Sequence, residues 1–133
     1  MIRISLGGLA AVLVAVFLTV PALAQEEFPP PQGMGRVVVV ASGQLGADAY
    51  RPITQEIAKL GYDAVLFDGN KLEGTRGQAL KDAIPKALAM PHALPGKVAL
   101  VGFSLGGGIA LFYGAGWSDQ VATTIVWYPL TSD

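Results

Sequence analysis

The chain has no cysteine and one histidine among 133 residues. The first absence excludes disulfides, a thiolate nucleophile and sulfur-ligated metals, and it leaves export open because many exported domains manage without disulfides. The second argues against a zinc or non-haem iron centre, which would draw on several imidazoles. Charge is equally sparse. With a formal net charge of −1 and 14% charged residues, there is no electrostatic footprint for nucleic acid or an anionic membrane surface, and no basic run is interleaved with aromatics. No internal repeat is present.

What the chain does have begins with a leader. Arg3 supplies a short basic start, Leu6 to Val20 runs without a charge, and Ala22-Leu23-Ala24 forms a small-residue cleavage pattern after Pro21. This is the layout of a secretory signal peptide ending at Ala24. It implies an exported protein, periplasmic or secreted, with no stable membrane insertion after cleavage. About 110 residues then remain, one domain at most. Residues 25–36 carry Pro29-Pro30-Pro31 and two glycines, so an extended, poorly packed lead-in is expected there.

From Val37 to Asp133 short apolar runs alternate with helical patterns. Val37–Ala41, Ala64–Phe67, Val98–Phe103 and Thr124–Tyr128 read as strands. Continuous apolar runs without period-two alternation are expected of parallel strands covered on both faces, with helices as crossovers. The class is α/β. The first helix places Ile53, Ile57 and Leu60 on one stripe, tolerates Pro52 in its opening turn and ends at Gly61. The second starts with Thr75 and Gln78 in capping-box spacing and carries Leu80, Ile84 and Leu88, with a kink or an early end expected at Pro85. The third, from Leu105 to about Tyr113, is glycine-rich and apolar and should be buried against the sheet.

Between the third strand and the third helix stands Gly102-Phe103-Ser104-Leu105-Gly106. A G-x-S-x-G in a strand-to-helix setting is a nucleophile elbow: the turn is so sharp that the serine is strained and the flanking positions must lack a Cβ. Ser104 is therefore the candidate nucleophile. The competing reading is a serine among glycines that only allow close packing.

The order strand, Ser42-Gly43-Gln44-Leu45-Gly46 loop, helix, Gly61-Tyr62, strand ending at Asp68, helix, then Val101-Gly102-Phe103-Ser104-Leu105-Gly106-Gly107 resembles an α/β-hydrolase of the dienelactone hydrolase type. The resemblance covers about Val37 to Leu130. It implies an incomplete α/β-hydrolase fold: four parallel strands in the order 2-1-3-4 with helices on both faces and the C-terminal strands absent. The implied chemistry is cofactor-free hydrolysis of a small-molecule ester, lactone or related acyl substrate through an acyl-serine. It also implies an oxyanion hole from the backbone N–H groups of Leu105 and Gln44, although the family often has histidine where this chain has Ser42. Arg76 matches a basic residue that family members use to hold an acidic substrate; the alternative is a solvated first-turn arginine.

The triad acid and base are the gap. Asp133 follows the fourth strand, where some α/β-hydrolase lipases place their acid, whereas the dienelactone type places it after the next strand. Asp68 reads as a loop cap, and Asp119 belongs to the turn entering the fourth strand. His92 precedes the third strand while Ser104 follows it, so the two are expected at opposite sheet edges. In this fold the triad histidine comes after the last strand, and the chain ends at Asp133. A nearly inactive chain is the expectation. The alternatives are an inactive hydrolase-derived fragment and a flavodoxin-like binding domain, which shares the strand order but would need a phosphate loop or an acidic cluster that this sequence lacks.

Overall fold

The four apolar runs become four successive parallel strands of one sheet, the last of them at an exposed edge. In this computed structural model, which describes residues 25–70 and 76–128, the strands are β1 (Gln25–Phe28), β2 (Gly35–Ala41), β3 (Asp63–Phe67), β4 (Ala93–Phe103) and β5 (Val121–Trp127), in the order β1-β3-β2-β4-β5. β3, β2, β4 and β5 are parallel in succession, which is the expected 2-1-3-4 arrangement. Residues 1–24, read above as a signal peptide, Thr75 and Asp133 lie outside the described residues, as does the side chain of Arg76.

The remaining strand, β1, departs from the sequence reading. Where a poorly packed lead-in is expected at 25–36, its first four residues pair antiparallel with β3, Gln25 opposite Phe67 and Phe28 opposite Ala64. Gln25 is buried and its side-chain amide donates to the Ala83 carbonyl at 2.9 Å. β1 thus closes the edge that β3 would otherwise expose, and the prolines that follow end it because they cannot donate to a ladder.

Helices cover both faces. α1 (Ala47–Lys59) packs Tyr50 and Ile57 against Val38, Val40 and Leu66 on one side. On the other, α2 (Arg76–Leu88) and α3 (Leu105–Gly114) enclose Val37, Val39, Val65, Leu100 and Val98 with Leu80, Ile84, Ala87, Ile109 and Ala110. α1 starts earlier than its apolar stripe suggests, so Pro52 is its sixth residue, and its buried residues are Thr54 and Ala58, with Ile53 and Leu60 exposed. α2 runs through Pro85 to Leu88. Pro85 sits on the exposed side, where water can satisfy the carbonyl that loses its helical donor. β4 begins at Ala93, five residues earlier than its apolar core, and its ladder with β2 skips from Leu94 to Ala99. Past that irregularity the pairing is regular, up to the residue before Ser104.

Candidate active site

β4 ends at Phe103 and α3 begins at Leu105, so Ser104 alone makes the turn. It adopts φ 51°, in the left-handed region that costs an L-residue about 1–2 kcal/mol. Its N–H donates to the Trp127 carbonyl at 2.9 Å and its own carbonyl accepts from Gly108 N–H at 3.0 Å, so β5 and α3 together hold the strained residue. The flanking glycines are required by contact. A Cβ at Gly102 would stand 2.6 Å from both Gly106 O and Gly107 Cα, and one at Gly106 would strike the Ala41 carbonyl oxygen. Only with both absent can β2, β4 and α3 meet this closely.

The carboxyl ends of β2, β3 and β4 lie side by side, and the chain reverses direction between β2 and β4, the place where open α/β sheets bind ligands. The loop after β2 is pinned to the loop after β3. Ser42 N–H donates to Phe67 O at 3.0 Å, Ser42 Oγ accepts from Gly69 N–H at 3.0 Å, and Asn70 Nδ2 donates to Gln44 O at 2.7 Å. Gly46 N–H closes a turn onto Gly43 O at 3.1 Å. The position of a Cβ on Gly43 falls 2.9 Å from Ser104 Cβ, so this loop abuts the serine. Leu105 opens α3, and the first N–H groups of a helix have no partner within it. The structure therefore brings Ser104, Leu105 and the loop bearing Gln44 to one place.

Other sequence candidates fall elsewhere. Asp68 is buried on this edge and its Oδ1 accepts from Asn70 N–H at 3.0 Å, the loop-capping role expected of it. Asp119 lies in the turn before β5. Arg76 is the first residue of α2. His92 sits before β4, with the length of that strand between it and Ser104, and its carbonyl accepts from Gly35 N–H at 3.0 Å.

Two features were not visible in the sequence. Tyr50, in the first turn of α1, brings its hydroxyl to the point where Gly43 lacks a Cβ, 2.5 Å from it. The second is at the opposite edge, where Asp63 is fully buried with neither carboxylate oxygen hydrogen-bonded among the described residues. Burial above all, and then the nearby Glu27 charge, push its carboxyl up to about 7, with His92 opposing. Glu27 is itself engaged: its Oε1 accepts from His92 N–H at 3.0 Å and lies 3.3 Å from His92 Nδ1. The single imidazole is thus committed to a carboxylate cluster remote from Ser104.

Residues 69–133, which include the whole elbow, match the dienelactone hydrolase family. Over that stretch the chain is dienelactone hydrolase-like. Solved structures extend the likeness in fold. A Klebsiella pneumoniae protein assigned to the dienelactone hydrolases is 18% identical with a TM-score of 0.67, over 82% of this chain and 55% of its own. A dienelactone hydrolase-like promiscuous phosphotriesterase from metagenomic libraries is 20% identical with a TM-score of 0.65, over 79% and 53%. An alpha/beta hydrolase from Penicillium sp. sh18 is 20% identical with a TM-score of 0.63, over 80% and 45%. The chain thus spans about half the length of these structures. No curated protein matches it.

Proposed function

We propose that this chain carries the nucleophile and oxyanion half of a serine hydrolase acting on a small ester, lactone or related acyl compound. The observation that carries the reading is the left-handed φ of Ser104 between β4 and α3, which an L-residue adopts at a cost and which a nucleophile elbow requires. Ser104 Oγ bonds to the acyl carbon, and the negative charge gathering on the carbonyl oxygen meets the N–H groups of Leu105 and Gln44. The alcohol or ring oxygen leaves, giving an acyl-serine that water hydrolyses. No cofactor enters this scheme.

Within these 133 residues the serine proton has no imidazole to receive it, since His92, the one histidine among them, is at the far edge. The full chain should therefore cleave p-nitrophenyl acetate slowly, at roughly 10³ to 10⁴ times the uncatalysed rate, the acceleration that binding and an oxyanion hole retain when a triad is broken. His92→Ala should turn over at the same rate. No acceleration at all would overturn the reading, and enzyme-like turnover lost in His92→Ala would overturn the role given to the far-edge histidine.

A further inference from the structure

We propose that the Tyr50 hydroxyl is an additional hydrogen-bond donor to the carbonyl oxygen of the bound acyl group, an inference that rests on Ser104 being the nucleophile. One point in space links them. The place that a Cβ on Gly43 would occupy is 2.5 Å from Tyr50 Oη and 2.9 Å from Ser104 Cβ, so hydroxyl and serine are no farther apart than those two distances together. Any side chain at position 43 would displace the hydroxyl from this place.

The phenol is packed against the end of β4, and its backbone is fixed in α1. Its ring lies against Phe103, the residue before Ser104, with centroids 5.1 Å apart at 34°. Its backbone carbonyl accepts from Thr54 Oγ1 at 2.7 Å in the body of α1. The hydroxyl itself makes no hydrogen bond among the described residues. A phenol that is partly buried ordinarily finds a partner for its O–H. The partner this one faces is whatever occupies the space between Ser104 and the loop after β2, which is where the acyl oxygen sits if Leu105 and Gln44 are its other donors.

The chemistry asks nothing more of Tyr50 than a hydrogen bond. As Ser104 Oγ bonds to the carbonyl carbon, the C=O π pair moves onto oxygen and the serine proton leaves to solvent. Tyr50 keeps its proton and donates to the charged oxygen. A donor aimed at charge that develops only in the transition state raises kcat and leaves KM nearly unchanged.

Tyr50→Phe keeps the ring against Phe103 and removes the hydroxyl. In the full chain it should lower kcat for p-nitrophenyl acetate at least about tenfold, with KM and Tm unchanged, and should weaken binding of phenylboronic acid, whose serine adduct is tetrahedral, by a similar factor. Tyr50→Leu, which also removes the ring, separates packing from donation: if kcat falls in both variants only in step with Tm, the role is structural and the proposal is overturned. Equal kcat and equal boronate affinity in the parent and Tyr50→Phe also overturn it, leaving Ser104 as nucleophile. A parent that neither accelerates ester cleavage nor binds the boronate overturns the nucleophile and this donor together.

Discussion

Asp63→Asn is expected to stabilise the chain by on the order of a few kcal/mol at pH 8.5 and to change it little at pH 4. In the folded chain burial and the Glu27 charge hold the Asp63 carboxyl at about 7, against an ordinary 3.8, so the folded state keeps a proton that the unfolded chain releases. The contribution is fully present below about pH 4 and is lost as pH rises through about 7, beyond which an ionised carboxylate sits buried without a donor. Asparagine has nearly the same volume and no charge to bury. Urea unfolding of both proteins across this range checks the result: the parent should lose stability between pH 4 and 7 while the variant loses much less. Parallel curves would show that Asp63 ionises as an exposed aspartate does.

Gly106→Ala should destabilise by about 3 kcal/mol or more, the upper end of what overpacking costs. The new Cβ would strike the Ala41 carbonyl oxygen and stand 2.5 Å from that of Ser42, and both are backbone atoms at the end of β2 and the residue after it, where no flexible side chain can give way. Gly116→Ala is the internal control, because nothing lies within 4 Å of its Cβ position. It should stay within about 0.5 kcal/mol of the parent. Chemical unfolding at one pH measures both, and a Gly106→Ala protein as stable as the Gly116→Ala one would mean that β2 and α3 are not pressed together at the elbow.

The parallel strands and the elbow were legible because each is written locally. A short continuous apolar run bounded by turn residues suits a parallel strand, as it does for β2, β3 and the end of β4, and two glycines around a serine at a strand end mark a tight turn. What could not be read depends on contacts distant in sequence. Gln25-Glu26-Glu27-Phe28 has no strand-like pattern and becomes β1 only because β3 offers an unpaired edge. The apolar stripe of α1 is Ile53, Ile57 and Leu60, yet Ile53 and Leu60 are 42% and 76% exposed while Thr54 and Ala58 are buried; burial there follows how the helix sits on the sheet more than hydrophobicity. Pro85 looked like a helix end, and its exposed position lets α2 continue. At the site, Ser104 announced itself by motif, whereas Tyr50 did not, since its relation to Ser104 exists only through the missing Cβ of Gly43. Asp63 gave no signal because β1 and the His92 turn are what bury it beside Glu27.

That Ser104 is the nucleophile is tested most directly by covalent capture. The full chain is treated with a fluorophosphonate and the modified residue is located by peptide mass mapping, with Ser104→Ala treated in parallel. Alanine should change stability little, since it meets the same left-handed backbone strain as serine. Without an imidazole to activate it, Ser104 is expected to label slowly, with an adduct on Ser104 alone that grows with time and reagent, and none in the variant. An adduct on another residue, or one that persists in Ser104→Ala, would contradict it.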